Sequence, residues 1–492
     1  MKNKRREAGV LLPISALPGG YGIGCFSDEA YRFVDMLADA GQRVWQILPL
    51  CPTSFGDSPY QSPCSFAGNP YFISLDALCG EGLISPDELP REDFGDRIDY
   101  KGLYEKRYPL LRSAHRRFCQ TERPSDFGAF VTENCHWLED YALFMALKEK
   151  YAAHLSAFPE LLRRRDMAAM AEARSELWRE VDFYRFLQYE FFKQWGSLRK
   201  YAASKNIKIL GDMPIYVSED SSDLWANPEL FELDREGRPI SVAGCPPDGF
   251  SPRGQLWGNP VYCWQEHRKE GFRWWRARFE AALSIYDMVR IDHFRGFDAY
   301  YSVRYGASDA VGGVWRKALG EELFLTMGDI VNDDRIIAED LGFMTEGVRR
   351  LLLKCGFSGM KILQFGFEGD REHMPYSYSE NCAVYTGTHD NPTLCQWLSE
   401  LGEWERGQME KYLCDISRDR ETIAAHLIAI AMQSPARLCV IPMQDYLFLG
   451  SEGRMNTPSS SSGNWVWRMG REDMRDEIGE RIKEFADIGG RL

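Results

Sequence analysis

Five short stretches seat acids among strand-forming residues: "GDM" at 211–213, "VRID" at 289–292, "AEDLG" at 338–342, "THDN" at 388–391 and "QDY" at 444–446. Acids in pairs can cleave and re-form a glycosidic bond. One carboxyl protonates the departing oxygen while a second attacks the sugar or activates a water. Two of the contexts differ as that division of labour needs. Arg290 stands two residues before Asp292 and projects to the same side of an extended chain. Its fixed charge is expected to depress the Asp292 pKa and keep that acid ionised, as a nucleophile requires. Glu339 follows the apolar Ile336-Ile-Ala338, surroundings that raise a carboxyl pKa and suit a general acid. Any one of these acids reads equally well as a strand-end ion pair or a helix cap. Five on a single rim would not.

The elements decide whether they share a rim. Short apolar, β-branched runs bounded by turn residues lie at 9–15, 43–50, 207–217, 288–294, 335–341, 360–365, 382–388 and 438–446. Helical patterns at 28–40, 183–204, 266–284, 314–327, 345–354 and 409–432 follow most of them. Alternating strand and helix predicts a parallel sheet, and eight units predict closure as an α/β (β/α)8 TIM barrel. In such barrels the catalytic groups sit at the C-terminal ends of the strands, where Asp212, Asp292, Glu339, Asp390 and Asp445 fall. The run at 288–294 is then broken by opposite charges because they end it at an active site.

The whole chain, 1–492, reads as one catalytic barrel unit with two long insertions. Residues 53–180 form a mostly helical insertion after the second strand, with amphipathic patterns at 137–151 and 166–178. Residues 218–265 form an aromatic loop insertion after the third, and loops this long are usually functional. Residues 459–463 read as a small flexible segment and 470–492 as a closing helix.

A formal charge of −14 argues against nucleic acid or an anionic membrane as partner. No apolar stretch is long enough to span a bilayer, and Pro13 interrupts the apolar run that would make the basic N-terminus a signal peptide. The 13 cysteines form no CxxC pair and the 8 histidines no HExxH, so neither a disulfide framework nor a metal is expected, and the compartment is read as cytoplasmic.

"VRIDHFRGF", "IIAEDLG" and "YTGTHDN" resemble the strand-end motifs of the α-amylase clan. "SPYQSPCSFAGNPYFISL" (58–75), "GDMPIYVSEDSSDLW" (211–225), "GQLWGNPVY" (254–262) and "QDYLFLGSEGRMNTP" (444–458) narrow the resemblance to the amylomaltases, the 4-α-glucanotransferases of glycoside hydrolase family 77. The resemblance implies a barrel without a C-terminal β-domain and a retaining transfer of α-1,4-glucan segments to glucose or a maltooligosaccharide, with no cofactor. It implies Asp292 as nucleophile, Glu339 as acid/base and Asp390 as stabiliser of the transition state. It further implies sugar contacts by Tyr60, Asp212, Trp257, Arg290, His293 and His389; Phe250 and Gln255, on the loop of Trp257, and Asn391, beside Asp390, are further candidates for substrate contact. One departure stands out: after Asn456-Thr-Pro458 the family continues with Gly-Thr, whereas this chain has Ser459-Ser-Ser-Ser462.

Rival readings make different demands. A phosphate-binding barrel needs a Gly-rich turn opening a helix after the last strands, which 450–463 lacks. A non-catalytic glucan binder needs no paired acids. A hydrolase of the same clan shares every motif and differs only in water access. Tyr60 and Trp257 read equally well as core aromatics, and the Pro and Gly around Trp257 favour an exposed sugar platform.

Overall fold

The computed structural model describes residues 5–91, 95–247, 251–331, 334–414, 419–458, 460 and 462–492. Their strands are, in chain order, β1 (Glu7–Leu11), β2 (Val44–Gln46), β3 (Lys208–Met213), β4 (Ser241–Cys245), β5 (Gln255–Pro260) and β6 (Met288–Ile291), then β7 (Ala299–Arg304), β8 (Val314–Lys317), β9 (Ile336–Ala338), β10 (Gly359–Ile362), β11 (Cys382–Tyr385) and β12 (Leu438–Pro442). Eight of them pair in parallel in the order β10-β11-β12-β1-β2-β3-β6-β9. The ring closes where the Ala338 N–H donates to the Ser358 carbonyl at 2.8 Å, beside an Ile337–Ser358 bridge. This is the (β/α)8 barrel the spacing predicts.

Side-chain alternation sorts each strand into two faces. Leu11, Val44, Leu210, Met288, Ile337, Met360, Tyr385 and Val440 pack together inside the barrel. Val10, Trp45, Ile209, Val289, Ile291, Ile336 and Ala338 face the helices in a second, larger core. Within β6, Arg290 therefore follows Met288 into the barrel. It lies in register with Asp212 of β3.

The helices obey ordinary end rules. Asp28–Asp39 opens with Asp28 and Glu29 in its first turn, where acids suit the helix dipole. Glu346–Cys355 is capped by the Thr345 hydroxyl and stopped by Gly356 at φ +70°. Between β2 and β3 the chain is mostly helical, its longest members being Tyr100–Phe118, Cys135–Tyr151 and Trp178–Ser204.

Four expectations need correction. Residues 314–327 are not one helix: 314–317 form β8, and only Gly320–Thr326 is helical. The insertion at 218–265 is not a simple loop, because β4 and β5 join β7 and β8 in a four-stranded antiparallel sheet ordered β5-β4-β7-β8. The pattern at 266–284 is two helices, Trp264–Lys269 and Arg273–Ile285, broken at Gly271 and Phe272, both at positive φ. The pattern at 409–432 likewise splits into Glu403–Leu413 and Arg420–Gln433. At 266–284 a local backbone turn interrupts a periodicity that read as continuous, whereas at 218–265 and 314–317 it is pairing with distant strands that the local pattern does not show. The closing helix spans Asp476–Ile488.

Gly211 explains itself by contact, since a Cβ there would sit 2.3 Å from the Tyr286 ring. Gly211→Ala should lower stability by about 1–3 kcal/mol through overpacking. A denaturant midpoint unchanged from that of the parent chain would show that the ring yields freely.

Candidate active site

The geometry is built around Arg290, buried inside the barrel mouth. Its Nη1 donates to Asp212 at 2.9 and 2.7 Å and lies 3.0 Å from Asp292 Oδ1. Tyr60, reaching in from the segment after β2, donates its hydroxyl to Asp212 Oδ2 at 2.7 Å and meets His389 Nε2 at 3.0 Å. Its ring stacks on that imidazole, with centroids 5.3 Å apart. Exposure separates the acids by role. The side chain of Asp212 has no exposed surface, whereas Asp292 is 27 % and Asp390 44 % exposed. Asp212 acts on its neighbours; Asp292 and Asp390 are open to a ligand.

Glu339 is fixed by backbone. Its Oε2 accepts the His293 N–H at 2.6 Å and its Oε1 the Leu341 N–H at 3.1 Å. The first of these bonds uses a left-handed turn, because His293 sits at φ +48°, a region few residues other than glycine adopt. His293 immediately follows Asp292, so one bond ties the carboxyl of β9's end to the backbone of β6's end.

Burial pushes the Glu339 pKa up to about 8, with Arg290 opposing and Asp292 and the two N–H donors adding smaller effects. The expected depression of Asp292 does not occur. Burial pushes it up to about 7, and Arg290 only partly offsets this because Asp212 and Asp390 add like charge nearby. Burial thus raises both acids. His293 is held neutral by burial and by Arg295 and Arg290, its pKa lowered to about 3. Burial lowers that of His389 as well.

The loop after β11 carries His389, Asp390 and Asn391 and is gripped from beyond β12. Asp445 accepts from the Thr386 hydroxyl at 2.6 Å and from the Leu394 N–H at 2.7 Å, clasping both ends of that loop. Asn456 donates from Nδ2 to Asp390 Oδ1 at 2.6 Å and from its N–H to the His389 carbonyl at 3.1 Å. Asn391 turns its own Oδ1 inward, onto the N–H and hydroxyl of Thr388. Sequence reasoning placed Asp445 only as a rim acid and gave Asn456 no role. Both are positioning residues, and the only signal for Asn456 was its place in the quoted "RMNTP".

Trp257 lies on β5, where the pairing with β4 slips and residues 257–259 bulge outward. Its half-buried indole stands edge-on to His293 at 4.7 Å, and Gln255 accepts its Nε1–H at 3.1 Å. Gln61 holds the bulge by donating to the Trp257 carbonyl at 3.1 Å. Phe250 lies outside the described residues, as do Ser459 and Ser461 of the departing serine segment.

A family model described as 4-alpha-glucanotransferase matches residues 12–473. The chain belongs to that family. A 4-alpha-glucanotransferase of Thermus thermophilus is 45% identical, with 99% of both chains covered. One of Clostridium butyricum is 44% identical over 97% of this chain and 99% of its own. An amylomaltase of Streptococcus agalactiae, solved in complex with acarbose, superposes with a TM-score of 0.96 at 42% identity, covering 99% of this chain and 100% of its own. Membership of the 4-alpha-glucanotransferases thus rests on the full length of the fold, barrel and insertions together.

The two acid pKa values generate a pH test. With Asp292 ionised as the proposed nucleophile and Glu339 protonated as the proposed acid, kcat/KM should rise through pH about 7 and fall above about 8. A rate that is already maximal near pH 5 would place Asp292 in the ordinary carboxylate range. Trp257→Ala should cost about tenfold in kcat/KM, on the order of 1.4 kcal/mol, while leaving the melting temperature nearly unchanged. A variant that melts several degrees lower with full activity would make Trp257 a packing residue.

Proposed function

We propose that the chain moves segments of α-1,4-glucan, from a maltooligosaccharide or amylose donor, to the 4-hydroxyl of glucose or of another glucan by retaining double displacement. The observation that carries this reading is the bond from the His293 N–H to Glu339 Oε2, which locks the acid beside Asp292 on the neighbouring strand. Asp292 attacks the anomeric carbon as Glu339 gives its proton to the leaving oxygen, leaving a glucosyl ester on Asp292. Glu339, now ionised, then takes the proton of the acceptor 4-hydroxyl as that oxygen displaces the ester. Two inversions give net retention.

Asp390, exposed and steadied by Asn456, is placed to bind sugar hydroxyls more tightly in the transition state than in the ground state. Among the described residues, the buried Nε2 of His293 and Nδ1 of His389 have no hydrogen-bond partner, which suits them to sugar hydroxyls. Trp257 and Tyr60 supply aromatic faces. The chemistry calls on side chains alone and assigns no role to a cofactor. None of the thirteen cysteines is in a disulfide, and among the described residues no helix is long and apolar enough to cross a membrane. Free thiols in that number favour a reducing, cytoplasmic setting.

Maltotriose separates transfer from hydrolysis: transfer yields longer oligomers together with glucose, hydrolysis only shorter products. In Glu339→Gln, a donor with a good leaving group should bypass the first step, so that one glycosyl mass accumulates on the peptide holding Asp292. A label on another residue, or products of inverted anomeric configuration, would refute the assignment.

A further inference from the structure

In the helical region between β2 and β3, three side chains of metal-binding type converge at the start of its longest helix. His115 stands in the last turn of Tyr100–Phe118, Cys119 caps that helix, and Asp182 lies in the second turn of Trp178–Ser204. Their donor atoms are mutually close: His115 Nε2 to Asp182 Oδ2 is 2.9 Å, His115 Nε2 to Cys119 Sγ 3.3 Å, and Cys119 Sγ to Asp182 Oδ2 3.6 Å. A tetrahedral zinc site with ordinary bond lengths has ligand-to-ligand edges of about 3.3–3.6 Å. The three atoms already mark out one face of such a tetrahedron.

The arrangement is not a proton relay. A relay would use both ring nitrogens of the histidine, with thiol and carboxylate on opposite sides. Here sulfur and oxygen both approach Nε2, so all three point at one centre. The spacing of four between His115 and Cys119 puts both on one helical face, and Asp182 comes from a second helix. Cys119 is exposed, which leaves the fourth position open to water or a small ligand. Arg123 is the competitor: its Nη1 donates to Asp182 Oδ1 at 3.0 Å and its Nη2 to Oδ2 at 2.7 Å. Nη2 also lies 3.6 Å from Cys119 Sγ, so a metal must displace this nitrogen from both the oxygen and the sulfur. The guanidinium, 5.2 Å from the Phe127 ring centre, then stays on Oδ1 and orients the carboxylate.

We infer that His115, Cys119 and Asp182 form a zinc-class divalent metal site that staples the two helices of the insertion. Binding replaces the Cys119 S–H bond by a sulfur–metal bond and releases that proton to solvent. The ion lies outside the glucan cleft and takes no part in its chemistry.

The test uses the full chain, stripped with a chelator and titrated with Co²⁺ as a spectroscopic probe. One equivalent should produce an intense near-ultraviolet thiolate-to-cobalt band, and added Zn²⁺ should abolish it by displacement. Cys119→Ser, at an exposed position, should lack the band, while Arg123→Leu should bind Co²⁺ more tightly by removing the competing cation. Zn²⁺ should raise the melting temperature of the parent chain and not that of Cys119→Ser. No band at saturating Co²⁺, or a band undiminished in Cys119→Ser, would overturn the proposal.

Discussion

A single guanidinium nitrogen organises the barrel mouth. Arg290 Nη1 is shared between Asp212, which has no exposed surface, and Asp292, which faces the cleft. An ion pair this deep carries a heavy desolvation cost and stabilises the fold little by itself. Its value is directional. Asp212 takes up much of the arginine's charge, so Asp292 receives enough to be oriented but too little to be held strongly acidic. Removing either partner would leave a buried charge unmatched, a loss on the order of 3–5 kcal/mol. Tyr60 then extends the same network to His389, so that acids from β3 and β6 and the loop after β11 share one set of hydrogen bonds.

The rim has two grades of construction. Asp292 and Glu339 follow directly on paired strands and are bound to each other's backbone: the Phe294 N–H donates to the Glu339 carbonyl at 3.1 Å, and the Glu339 N–H to the Ile291 carbonyl at 3.0 Å. Asp390 stands five residues beyond the end of β11 and owes its place to Asp445 and Asn456. A side chain carried on a loop needs such outside support to be held as precisely as one that follows directly on a strand.

Much of this was legible in the chain. All eight barrel strands were found because each is a short apolar run bounded by turn residues, and Met288-Val-Arg-Ile-Asp292 shows both faces of its strand at once. What escaped was long-range. Nothing near Trp257 announces that 314–317 supplies the far edge of its sheet through β7, because antiparallel partners are named by pairing and not by local pattern. The Asp292 pKa was misjudged for a similar reason. Arg290 is visible two residues away, whereas Asp212 and Asp390, distant in sequence, decide how much of its charge is left. The convergence of His115 and Cys119 on Asp182 likewise needs a helix from elsewhere in the insertion.

The closure of the ring between β9 and β10 has a mechanical meaning. Every other neighbouring pair is joined by a ladder of at least three registered residues, while this seam has, among the described residues, one backbone bridge at Ser358 and a side-chain bond in which Asp340 Oδ1 accepts the Met360 N–H at 2.6 Å. The seam runs between the strand that ends at Glu339 and the half of the barrel that carries Asp390. Compliance in a hydrogen-bonded shell concentrates where the bonds are fewest. Glu339 and Asp292 therefore ride together as one stiff block, and the elastic freedom of the barrel lies between that block and the loop that carries Asp390.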